Sequence, residues 1–151
     1  MKSRVLFPLI LVSVAFILFV FFLLNPSYEK SLKSKYYYEM GDYKEAYILA
    51  NEAFSIDVYN RMASTIMAQS KTSLKYVKYN DSAKEYMQEI NIIATHDIIS
   101  GGDRAKMKMM SKIMIDSYVK LAPSVITDKA LVDEAATHYK NFEQLLEKVS
   151  R

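Results

Sequence analysis

Cysteine and tryptophan are absent from this chain of 151 residues, and glycine and proline number three each. Without cysteine there is no disulfide, no thiolate nucleophile, no cysteine metal site and no lipidated N-terminal cysteine. So few turn formers exclude an all-β fold, which needs many of them. Charge of one sign is missing too. Lys2 and Arg4 precede an apolar stretch, and the remaining 18 of the 20 basic residues face 17 acidic ones. The part beyond the stretch therefore carries about +1, without the one-sided basic excess of a nucleic-acid surface, so no nucleic-acid partner is expected. The length leaves room for an anchor and one modest domain, not for two domains with separate cores.

What is present begins with the apolar stretch. Val5 to Leu24 contains no charged residue, and its only polar side chain is Ser13. Twenty helical residues span about 30 Å, the thickness of a bilayer's hydrocarbon core. Pro8 falls in the expected first turn, and Asn25-Pro26-Ser27 ends the run. A cleaved signal peptide would have a shorter apolar region and a small-x-small cleavage site; Phe-Phe-Leu-Leu leads straight into Asn-Pro-Ser. The expectation is a single N-terminal transmembrane helix, with residues 1–25 as tail and anchor and the lipid bilayer contacted by residues 5–24. Basic residues on the two sides of the run nearly balance, and the very short N-terminal tail favours export of the rest. That places the protein in the inner (cytoplasmic) membrane with its soluble domain in the periplasm of a bacterium.

Residues 26–151 read as all-α, about six helices in antiparallel hairpins. Ser27 to Met40 is the first, with Ser27 as a plausible N-cap. Gly41-Asp42 breaks it, and Tyr43 to Ile56 follows with apolar positions at three- and four-residue steps. A third helix runs from about 58 to 79, Asn80-Asp81-Ser82 marks a turn, and 83–99 is the fourth. Ser100-Gly101-Gly102-Asp103 reads as a loop, with Asp103 capping a fifth helix to about Leu121. Pro123 stops it, and Thr127 or Asp128 starts a sixth that reaches Val149. The expected hairpins are thus about 27–57, 58–99 and 103–149, because short connections favour antiparallel neighbours.

Gly41-Asp42-Tyr43-Lys44-Glu45-Ala46, followed by Ala53 and Ile56-Asp57, resembles the second half of a tetratricopeptide repeat, a helix-turn-helix unit of about 34 residues. Gly41 suits the left-handed conformation that ends the first helix. Asp42 caps the second, and small Ala46 and Ala53 permit close helix approach. Tyr37 falls where the family places an aromatic. The chain departs from the pattern at Lys30 and Lys33, which replace an aromatic and a leucine, at Ser34 for glycine, and at Val58 for the closing proline. The match covers about a fifth of the chain; a fainter copy runs from Arg61 to Ile93. The resemblance implies a protein-binding scaffold with Gly41, Tyr43, Ala46 and Ala53 as structural positions, in a family with no shared catalytic activity.

No catalytic constellation is legible. His96 and His138, the only histidines, lack neighbours at metal-ligand spacing and read as solvent-facing or capping. No serine sits in a Gly-x-Ser-x-Gly context, and Gly101-Gly102 is too short for a phosphate loop. Neither an enzyme nor a cofactor, metal or small-molecule substrate is expected. The densest aromatic cluster is Tyr36-Tyr37-Tyr38 with Tyr43 and Tyr47. Three consecutive helical tyrosines point about 100° apart, so they cannot all be core. Tyr36, Tyr38, Tyr43 and Tyr47 are therefore candidate partner-binding residues, weighed against simple cover of the hairpin. Met107, Met110, Met114 and Leu121 form a core stripe, with Met109 off its centre. Val132, Ala135, Tyr139, Phe142, Leu146 and Val149 form a seven-residue repeat, which packs within the domain or on a partner helix. The expected function is a membrane-anchored scaffold or adaptor that binds another cell-envelope protein. The alternative is a small structural subunit of a larger envelope machine, for secretion, division or a flagellar motor.

Overall fold

The computed structural model describes the backbone of residues 3–151 and the side chains of residues 7–17, 19–20 and 25–151. Among the described residues the chain is all-helical, with no strand: α1 (Ser3–Leu24), α2 (Pro26–Glu39), α3 (Tyr43–Ile56), α4 (Arg61–Ala94), α5 (Gly101–Val119) and α6 (Lys129–Ser150). It divides into two compact units, Met1–Ser70 and Lys71–Arg151, and the boundary falls inside α4.

The expected transmembrane helix requires correction. Among the described residues, no helix is long and apolar enough to cross a membrane. Within α1, the side chains at 5, 6, 18 and 21–24 of the expected span lie outside the described residues. Pro8 sits inside α1, not in its first turn.

Five helices follow α1, not six. The break expected at Asn80-Asp81-Ser82 is absent, and α4 runs 34 residues through it. These residues mark turns when their side chains compete for nearby backbone groups. Asn80 is buried, and its Nδ2 donates instead to the Leu131 carbonyl (3.2 Å) and to Glu134 (3.0 Å). With neither Gly nor Pro present, nothing else stops the helix.

In the first unit α2 and α3 form an antiparallel hairpin. Asn25, not Ser27, is the N-cap of α2: its side chain accepts from the Ser27 N–H, and Pro26 occupies the first turn. Gly41 turns the chain at φ +83°, and a Cβ there would meet no atom within 4 Å, so the demand for glycine is conformational. Asp42 caps α3 by accepting from the Glu45 N–H at 3.0 Å.

The second unit is a three-helix arrangement of the C-terminal part of α4 with α5 and α6. Glu89 of α4 pairs with Lys106 of α5. Tyr118 near the end of α5 stacks on Tyr139 of α6 at 4.5 Å. Ser100 and Asp103 form a reciprocal capping box at the start of α5. Gly101 and Gly102 therefore lie in its first turn, not in a loop, and Asp103 is the third helical residue, not the cap. Those hydrogen bonds from Ser100 hold the Asp103 carboxyl below the usual range. The core gathers Tyr76, Tyr79, Ala83, Ile90 and Ile93 of α4, Met107, Met110 and Met114 of α5, and Ala135 and Phe142 of α6.

Candidate protein-docking face

The first hairpin is built inside out. The face that α2 buries consists of Ser27, Ser31 and Ser34, all fully inaccessible. The opposing face of α3 is Ala46, Ala50 and Ala53, equally buried. Small side chains on both sides bring the two backbones close, and the hydroxyls need internal partners once water is excluded. They have them. Ser27 Oγ donates to the Ala53 carbonyl at 2.9 Å, joining the start of α2 to the end of α3. Ser31 Oγ donates to the Tyr28 carbonyl and Ser34 Oγ to the Ser31 carbonyl.

Asn60 ties this seam to α4. Its Nδ2 donates to Ser27 Oγ at 2.8 Å and to Ser31 Oγ at 3.2 Å, while its Oδ1 accepts from the Ala63 N–H at 3.1 Å. One buried amide thus caps α4 and satisfies two serines.

Large apolar groups of α2 lie on the opposite side. Leu32, Tyr36 and Met40, at four-residue steps, are 48%, 59% and 68% exposed. Around a helix wheel they sit about 180° from the three serines. Tyr37 is exposed beside Tyr36, edge to face, with ring centroids 5.6 Å apart. Opposite charges flank the stripe and cancel. Lys33 donates to Glu29 at 2.6 Å, and Lys35 lies 3.7 Å from Glu39. The hydrogen bond from Lys33 lowers the pKa of Glu29 below the usual carboxylate value, and the same bond raises that of Lys33. The face is apolar with little net charge.

The four candidate tyrosines separate. Tyr36 is exposed on the stripe. Tyr38 is half-buried and meets Tyr43 edge to face at 5.3 Å. Tyr43 is buried at the start of α3, and Tyr47 is half-buried. Leu32 and Met40 escaped the sequence reading. The signal was available in the serines at 27, 31 and 34, whose helical spacing leaves the apolar residues of α2 with nowhere to go but outward.

Among the described residues no group of three His, Asp or Glu side chains is arranged to hold a metal. His96 is exposed, with Nδ1 3.9 Å from Asp103. His138 is not solvent-facing as expected: it is half-buried, and its buried Nε2 lies 3.7 Å from Glu134 Oε1. Glu134 also bridges to Lys84 at 2.8 Å, and the hydrogen bond from Lys84 holds its carboxyl below the usual range. This is a tie between α4 and α6. The chain matches no family model, no curated protein and no solved structure.

Proposed function

We propose that this protein is a non-enzymatic helical scaffold that captures another protein on the outer face of α2. The observation that carries this reading is the inversion of α2, which buries serines and leaves Leu32, Tyr36 and Met40 in solvent. An apolar strip held on a regular helix and rimmed by self-neutralised ion pairs suits a partner presenting an apolar, uncharged helix or strand. Tyrosine at its centre supplies large contact area with few rotatable bonds to immobilise. The hairpin with its left-handed Gly41 and its close alanine contacts agrees with the tetratricopeptide resemblance, whose implied role is the same.

The test is site-specific photocrosslinking in the full chain. A benzophenone side chain at position 36 is expected to give a covalent adduct with one protein in the native cell. Leu32→Glu should suppress that adduct while circular dichroism is unchanged. Truncating a buried aromatic anchor costs about 2 kcal/mol or more, so Tyr36→Ala should weaken capture of the same protein about thirtyfold. Crosslinking indifferent to Leu32→Glu would remove α2 as the docking face. Loss of function in a folded His96→Ala or His138→Ala variant would point to chemistry instead of scaffolding.

A further inference from the structure

The second unit carries a groove unrelated to the α2 face. Lys75, Lys78, Tyr79, Ser82 and Tyr86 of α4 fall at three- and four-residue steps and form one wall. Ile113, Met114 and Ser117 of α5, with Leu121 just beyond it, form the other. The space between is about 210 Å³.

Its chemistry is uneven. Ile113, Met114, Leu121 and the rings of Tyr79 and Tyr86 make most of the lining apolar. Two ammonium groups stand on it, and no carboxylate does. Lys84 of α4 and Lys106 of α5 are paired with Glu134 and Glu89. Among the described residues, no acidic group lies within ion-pair distance of Lys75 or Lys78. Ser82 and Ser117 add hydroxyls from the two walls. Tyr79 is only 5% exposed, and its hydroxyl is a buried polar atom with no hydrogen-bond partner.

We propose that this groove binds a small organic monocarboxylate with an apolar body, its carboxylate held by Lys75 and Lys78 and its body laid against Ile113, Met114 and Leu121. A concave apolar site with a few convergent polar groups is the usual form of a small-molecule site. The volume falls below the roughly 300–1,000 Å³ typical for drug-sized ligands, which limits the body to a single ring or a short alkyl chain. A phosphorylated sugar would set its own hydroxyls against the apolar wall and forfeit their hydration. Excess positive charge at the lip selects the anion over its neutral analogue.

The probe is a benzoate carrying a trifluoromethyl-diazirine, used on the full chain beside its neutral carboxamide. After irradiation, peptide mass spectrometry locates the label. The carboxylate is expected to label residues 75–86 and 113–121 about tenfold more than the amide does, the scale of one charge-assisted contact. Lys75→Gln with Lys78→Gln should remove that preference. Ile113→Trp, which places a ring in the mouth, should abolish labelling of the groove. The lysine variants change only exposed side chains, so they remain informative if Ile113→Trp unfolds. Because label in α1 is read separately from label in the groove, simple partition onto apolar helix is distinguished. Equal labelling by acid and amide, or a preference for the acid at 75–86 that survives the lysine changes, would overturn the proposal.

Discussion

The two units solve the problem of helix packing in opposite ways. In the first, α2 and α3 meet through Ser27, Ser31 and Ser34 against Ala46, Ala50 and Ala53, and buried hydroxyls are satisfied one by one. In the second, Tyr76, Tyr79, Met107, Met110, Met114 and Phe142 fill the space between three helices. A small-residue seam buries little apolar area for each residue, so most of its bulky groups remain outside. A large-residue core takes them in and leaves an imperfect joint where the side chains do not fully mesh. The first arrangement yields an apolar face for a macromolecule, and the second yields a groove for something small. Both candidate surfaces are by-products of how each interior is filled.

Two core substitutions test whether the interiors differ in kind. Phe142 is fully buried, and Phe142→Ala should cost about 3–5 kcal/mol in urea unfolding, through lost transfer energy and the cavity left behind. The corresponding insult to the seam is growth, not truncation. Ala50→Leu forces a branched side chain between closely approaching backbones and should cost about 1–3 kcal/mol. A stabilising Ala50→Leu would mean that the first hairpin has slack, and the contrast between the units would fail. A Phe142→Ala cost under about 1 kcal/mol would show that the second core collapses freely onto the vacancy.

Much of this organisation was legible in the sequence, and the misreadings have physical causes. Gly41 and Asp42 marked the first turn because a positive φ and an N-cap are local requirements, written in one or two residues. The methionine stripe and the heptad of the last helix were legible because three- and four-residue recurrence reports burial directly. Asn80-Asp81-Ser82 was misread because the fate of Asn80 depends on Leu131 and Glu134, more than fifty residues away. The serine seam was missed for the opposite reason. Its spacing was visible, but serine on a helix is ordinarily taken as solvated, and only the facing alanines and Asn60 show it to be interior. The groove was not legible at all, since Lys75 and Ser117 become neighbours only through tertiary packing. For the span expected in the N-terminal run, no helix among the described residues is long and apolar enough to cross a membrane.

The smallest effect at neutral pH, and the one that joins the second core to its groove, belongs to Tyr79. Its hydroxyl is buried without a partner, and burial, with Tyr118 and Tyr139 nearby, pushes its pKa up to about 12. Tyr79→Phe removes an unsatisfied polar atom and keeps the ring against Tyr118, 5.8 Å away. At pH 7 the change should therefore be neutral or slightly stabilising, within about 1 kcal/mol. Alkali separates the two proteins. The unfolded phenol ionises near pH 10 and the folded one near 12, so in this window the native state holds more protons than the unfolded state. Stability is then fully present below about pH 10 and falls as pH rises toward 12, with a slope of at most about 1.4 kcal/mol per pH unit from one group. Tyr76 and Tyr139 are also raised, the first by burial and the second chiefly by its hydrogen bond to Glu143, so part of the alkaline loss persists without Tyr79. Urea midpoints followed from pH 8 to 12 should fall less steeply for Tyr79→Phe than for the parent. Identical slopes would show that the hydroxyl is hydrated in the native state. A shallower slope would establish that the phenol is buried without a partner in the second core.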